Sequence, residues 1–130
     1  MPSYTWLRTT LVPELYDSLS KNLKKLLEAV SFISCTTDTR SASQCTDSLL
    51  SVTGHWIDVQ WVRHLALLAA SPIMGSHTAE NIKTIVGQVI SKWNLDDKIH
   101  VFLRDNAKNM TNAGVRLLSC MSHTLQLCVK

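Results

Sequence analysis

A chain of 130 residues is one domain or a piece of one, long enough to bury a real core. Its hydrophobic content of 45%, with only four Gly and three Pro, excludes compositional disorder, and the formal charge of +3 permits contact with nucleic acid without demanding it. No run approaches the ~20 apolar residues of a membrane span, and the amino terminus lacks a basic region followed by an apolar core.

From the start, Tyr4 to Leu11 reads as a short helix that Pro13 interrupts, with Pro13 at the first turn of the next. Leu15, Tyr16, Leu19, Leu23, Leu26, Leu27 and Val30 then recur at helical spacing, which predicts an amphipathic helix with one apolar stripe. Trp6 and Tyr16 are assigned to packing. Lys21, Lys24 and Lys25 are the densest basic group and read as a solvated helix face, so no basic nuclear signal is visible. Residues 1–30 are therefore a helical lead-in, and residues 31–130 form the core.

Phe32 to Thr37 is rich in β-branched and small residues and predicts a strand that closes on Asp38. Small polar residues from Thr39 to Gln44 predict a loop. Leu49 to Ile57 and Gln60 to Ala69 predict two strands joined as a hairpin by the short Asp58-Val59 link. His55 and His64 lie on them without a partner at metal-ligand spacing, and are read as strand-surface or core histidines. Ser71 to Gly75 is the next break, and Ser76 or Thr78 caps a helix carried by Ile82, Ile85, Val86, Val89, Ile90 and Trp93, with Glu80 near its positive end.

The turn-rich Asn94 to Lys98 segment then leads into Ile99 to Leu103, a short apolar run that reads as a strand closing on Asp105. Asp105 or Asn106 can cap a following helix, and from the local pattern alone a capping role accounts for Asp105 better than a chemical one, so a second acid must decide it. The order strand, strand, strand, helix, strand, helix is that of an α/β fold of the RNase H-like kind, with three antiparallel strands and a fourth parallel beside the first. Neighbouring strands lie ~5 Å apart, so Asp38 and Asp105 at corresponding ends would face a single divalent cation. Two such carboxylates repel unless a cation stands between them, and a hard oxygen-loving Mg²⁺ suits that place.

Several stretches in order resemble the motif series of hAT-superfamily transposases, and more closely the BED-type zinc-finger proteins derived from them. These are Tyr4-Thr5-Trp6 with Pro13-Glu14-Leu15-Tyr16, Thr36-Thr37-Asp38, Ser51-Val52-Thr53 with His55-Trp56-Ile57-Asp58, His77-Thr78-Ala79-Glu80-Asn81-Ile82, Asp105-Asn106-Ala107 with Asn109-Met110, and Cys120-Met121-Ser122-His123-Thr124-Leu125. The resemblance covers nearly the whole chain. It implies a partial RNase H-like domain without the BED finger, in which Asp38 and Asp105 are the first two acids of a metal-dependent DDE site. Cys120 and His123 match the family's Cys-x-x-His, an incomplete zinc site read either as supporting the site or as packing, so no zinc is expected. With Cys35, Cys45 and Cys128 in no paired spacing either, the cysteines read as reduced thiols of an intracellular protein.

Two-metal chemistry of this type needs a third acid, which the family supplies from a late helix. The chain ends at Lys130 before anything comparable, and Glu80 lies on the wrong helix. Arg40 stands where relatives commonly carry tryptophan, and Arg104 where they often carry threonine; Arg40 is positioned to pair with Asp38 and compete with a cation for it. The resemblance therefore implies a non-catalytic, transposase-derived nuclear protein related to DNA-binding and transcription-regulating proteins, with vestigial acids at Asp38 and Asp105. The alternative is a fragment of an active hAT transposase. With later helices expected beyond Lys130, strand surface at Leu65, Leu67, Val101 and Leu103 is expected to be partly uncovered, and the fourth strand to keep a free edge unless a fifth docks there, which favours self-association or a missing carboxyl-terminal partner half.

Overall fold

Residues 33–40 alternate in a way only a half-buried strand satisfies: Ile33, Cys35 and Thr37 are buried, while Asp38 and Arg40 are exposed. This strand, β1 (Ile33–Ser41), lies at the centre of a five-stranded sheet in a computed structural model that describes residues 1–41, 48–74, 78–104 and 117–119. Around it run β2 (Ser48–Ile57), β3 (Arg63–Ile73), β4 (Ile99–Arg104) and β5 (Leu117–Ser119), in the spatial order β3-β2-β1-β4-β5. The pairs β1–β2 and β2–β3 are antiparallel, whereas β1–β4 and β4–β5 are parallel. That is the mixed sheet the element order predicts, with the fourth strand parallel beside the first.

The crossover from β3 to β4 is a helix, α3 (Ala79–Lys92), whose N-cap is Thr78: its hydroxyl accepts the Asn81 N–H at 3.3 Å, and Glu80 occupies the first turn. Ile82, Val86, Val89 and Trp93 form its buried stripe, and α3 packs against β2 and β3. Beneath it the inward positions Cys35, Leu50, Val52, Trp56, Leu68 and Phe102 make the core. Burying a side chain such as Phe102 contributes roughly 1.5–3 kcal/mol.

Two irregularities fix how this core fits. Between Val52 and Thr53 the β2–β3 register shifts, leaving Leu68 as the extra residue on β3. Its carbonyl accepts the Trp93 indole N–H at 2.9 Å, which ties the end of α3 to the bulge. A second shift, between Ile33 and Ser34, leaves His100 extra on β4.

Several boundaries differ from those expected. β1 continues through Asp38 to Ser41, because β2 pairs with it as far as Ser48 opposite Ser41, so Thr39 and Arg40 are strand rather than loop. The β2–β3 link is Asp58 to Val62, longer than Asp58-Val59, because the Asp58 carboxylate accepts the N–H groups of Gln60 (2.8 Å) and Val62 (2.9 Å) and closes a wider turn. β3 runs through Ser71, Pro72 and Ile73 where a break was expected. It is an edge strand among the described residues, and an edge tolerates the missing N–H of Pro72. At the opposite side β5 pairs with β4, so β4 does not keep a free edge.

The chain divides into two compact units, Met1–Val30 and Ser31–Lys130. In the first, Pro13 does not interrupt the helix. α1 (Tyr4–Trp6) passes into a wider π-helical turn (Leu7–Leu11) and then α2 (Val12–Glu28); the Val12 N–H donates to the Leu7 carbonyl, and this wider turn just before Pro13 accommodates the proline ring. Leu27 is buried, but Leu15, Tyr16, Leu19 and Leu26 are exposed, and so is Trp6. Trp6 and Tyr16 are thus not core residues, because most of the α2 apolar stripe faces solvent.

Candidate functional site

Asp38 projects from the sheet face opposite α3, since it follows the inward-facing Thr37. Its carboxylate Oδ2 accepts the Arg40 Nε–H at 2.9 Å. These two residues are two apart on one strand, so alternation alone brings them onto the same face. Both are open to water, Asp38 at 50% and Arg40 at 86% side-chain exposure. The backbone beneath is held by β2: Asp38 stands opposite Ser51, whose hydroxyl donates to the Asp38 carbonyl at 3.3 Å.

Thr36, Thr53 and His55 share this face. Thr36 lies opposite Thr53, and its Oγ1 is 3.1 Å from His55 Nε2. Sequence reasoning set His55 aside as a strand histidine without noticing that it falls on the side of the sheet that carries Asp38. The β1–β2 register, not residue spacing, reveals this: His55 opposes Ser34, on the same alternate positions as Thr36 and Asp38. A carboxylate, a histidine and hydroxyls on one open face can bind a cation or a polar ligand, although no group of three or more His, Cys, Asp or Glu among the described residues is arranged to hold a metal ion.

On the other side of β1, pairing with β4 runs from Ile33 opposite Ile99 to Thr37 opposite Arg104. Asp38 and Asp105 are the next residues of their respective segments. Asp105 itself lies outside the described residues, as do Cys120, His123, Cys45 and Cys128. As the donor set for a hard cation, the described chain therefore offers the Asp38 carboxylate, accessible but already engaged by Arg40.

His64 is also a partnered histidine. Its Nε2 lies 2.7 Å from Asp58 Oδ2, and its ring stacks on Trp56 with centroids 5.5 Å apart. The hydrogen bond from His64, followed by those of the Val62 and Gln60 N–H groups, holds the Asp58 carboxyl below its usual range. This pair orders the β2–β3 turn, with Trp61 held at a positive φ of 63°. Cys35 is buried, and burial pushes its thiol up to about 12, which makes it an inert core residue.

Residues 36–130 match the family model described as the ZBED1 RNase-like domain. Over 116 residues, 89% of the chain, it is 30% identical to "Putative transcriptional regulator tpeD" of Talaromyces stipitatus, covering 13% of that protein. It is 29% identical over 97 residues (74% of the chain, 12% of the relative) to "Putative AC transposase" of Zea mays. It is 28% identical over 101 residues (75% of the chain, 14% of the relative) to "Zinc finger BED domain-containing protein RICESLEEPER 2" of Oryza sativa subsp. japonica. In each case the chain spans a small part of the relative's length. The match to the family model over most of the chain, on a mixed sheet with β4 parallel to β1, makes this chain a member of the ZBED1 RNase-like domain family, a hAT transposase-derived protein.

Proposed function

We propose that the chain is a non-catalytic, transposase-derived module of a nuclear protein that binds DNA and regulates transcription. The observation that carries this reading is the 2.9 Å contact from Arg40 Nε to Asp38 Oδ2: the first acid of the expected DDE set already has a cation for a partner. The similarity to a protein named as a transcriptional regulator supports the regulatory half, and the BED-finger relative supports contact with DNA and a nuclear location.

Asp38 and Asp105 are proposed to be the vestigial pair. Support comes from the β1–β4 register, which is in step as far as Thr37 opposite Arg104; the same step continued once would bring the two acids side by side on one face. A Mg²⁺ ion at that place would be held by these two carboxylates, and when bound it supplies Lewis-acid polarisation of a phosphoryl oxygen. Asp38 would offer a hard oxygen from the central strand, and Arg40, which donates to the same oxygen, would compete for it.

The same register, together with the maize transposase relative, favours the second reading, a fragment of an active hAT transposase. Incubation of the purified chain with Mg²⁺ or Mn²⁺ and DNA carrying candidate terminal repeats separates the two. The non-catalytic reading expects intact DNA. Strand cleavage or joining that is abolished by Asp105→Ala overturns it in favour of the transposase.

A further inference from the structure

Among the described residues β3 is an edge, and it is an edge of unusual composition. From His64 to Leu68 it carries His-Leu-Ala-Leu-Leu, with no formally charged side chain to discourage pairing; Arg63 stands at its start and Pro72 near its end. On the face away from α3, Leu65 and Leu67 are 62% and 57% exposed; Ile57 at the end of β2 is exposed too, and the adjoining turn exposes Val62 and, at 86%, Trp61. Exposed edges are normally guarded by charge, proline or a bulge, and in this stretch only the bulge at Leu68 limits the strand.

We propose that this edge pairs with the same edge of a second copy of the chain, antiparallel about a two-fold axis at Ala66. The occupant is a second copy because the stretch is self-complementary. Two-fold symmetry sets Ala66 opposite Ala66 and Leu65 opposite Leu67 of the second copy, so exposed leucines meet one another on one face and no like charges oppose. His64 falls opposite Leu68, where the bulge ends the regular ladder. Beyond it, the turn with Val62 and Trp61 runs alongside Ala70 and Ser71 of the second copy, which gives the exposed indole a surface to cover. Five residues of ladder extend only ~17 Å, so the contact is smaller than a standard interface and the dimer is weak, with a dissociation constant on the order of 10–100 µM.

Sedimentation velocity of the chain from about 1 to 200 µM reads the equilibrium directly, around the dissociation constant set by the small contact. The expected result is a monomer–dimer transition that Leu65→Lys/Leu67→Lys weakens at least tenfold, with unchanged far-ultraviolet circular dichroism because both side chains are exposed. In a background with Cys45, Cys120 and Cys128 replaced by Ser, Ala66→Cys should give a disulfide-linked dimer on mild oxidation faster than Val59→Cys, placed on the turn. A chain that remains monomeric at 200 µM overturns the proposal. So does a dimer insensitive to the β3 substitutions but lost on Leu15→Lys/Leu19→Lys, which would assign association to the exposed stripe of α2, and so does equal crosslinking at Ala66→Cys and Val59→Cys.

Discussion

Arg40 reaches back along its own strand to Asp38, Nε to Oδ2 at 2.9 Å, so the acid is bound by a cation that the sequence itself supplies two residues later. Because both groups are solvated, the pair matters little to folding and much more to what else the carboxylate can hold. Arg40→Ala should change the unfolding free energy by no more than about 0.5 kcal/mol. The same substitution should raise Mn²⁺ affinity a few-fold at low salt, read by paramagnetic broadening of resonances around Asp38, with the gain shrinking as ionic strength rises. Equal broadening in the two proteins at every salt concentration would remove Arg40 from any role at the site.

The bulge at Leu68 depends on one indole. Trp93→Phe keeps most of the buried ring but leaves the Leu68 carbonyl without the Trp93 N–H, at a buried position. The expected loss is about 1–3 kcal/mol, measured by urea unfolding. A midpoint equal to that of the unsubstituted chain would mean that water or another donor satisfies the carbonyl.

Gly54 is required by contact rather than by backbone conformation. A Cβ there would lie 2.7 Å from Ile33 Cδ1 and 3.2 Å from Leu68 Cδ1. Ile33 is fully buried and has little room to retreat. Gly54→Ala should therefore cost about 1–3 kcal/mol, the usual range for overpacking a core. An alanine variant as stable as the parent would show that Ile33 rotates at no cost.

Asp58 makes the β2–β3 turn sensitive to acid. Its carboxyl is held below its usual range, first by His64 and then by the Val62 and Gln60 N–H groups, so the folded chain binds a proton there less readily than the unfolded chain does. Its contribution to stability is accordingly present above the ordinary carboxylate range and lost as pH falls through the lowered folded value. Asp58→Ala should lower the urea midpoint at pH 7, and the gap between variant and parent should narrow toward pH 2–3, roughly below the ordinary aspartate pKa. A gap independent of pH would contradict this linkage.

Cys35 gives the opposite, alkaline dependence. Burial pushes the thiol up to about 12, so between the ordinary thiol range and that value the unfolded chain loses a proton that the folded chain keeps. Stability should then fall by up to about 1.4 kcal/mol per pH unit above roughly pH 9. Cys35→Ala should flatten that slope. Alkylation of Cys35 should require unfolding, and fast labelling of the native chain would show that the thiol is accessible.

Much of the fold was legible because its elements announce themselves by periodicity. Ile82, Val86, Val89 and Trp93 mark a helix from their spacing alone, and the β-branched runs around Cys35, Val52 and Val101 mark strands. What periodicity does not carry is the depth to which a pairing extends. Thr39 and Arg40 look like loop residues and Pro72 looks like a breaker, yet partners on β2 keep all three in strands. At the site, the Asp38–Arg40 contact was legible from a guanidinium two residues after an acid, although the strand alternation that sets both on one face was not, since Arg40 reads as loop. His55 was not, because which face of β2 it occupies depends on register with β1. The exposure of Trp6 and Tyr16 was equally hidden, since an apolar stripe shows what can be buried and not whether anything covers it.

The extra residue at His100 is in effect a parity switch. Before it, β1 and β4 are matched Ile33 to Ile99; after it, Ser34 is matched to Val101, and every later side chain of β4 has exchanged faces relative to an uninterrupted ladder. Without that single insertion, Thr37 would be in step with Leu103 rather than with Arg104. The two strands are therefore intolerant of odd-numbered insertions and deletions between Ile33 and Asp38 or between Ile99 and Arg104, because each one turns an outward-facing position into a core-facing one.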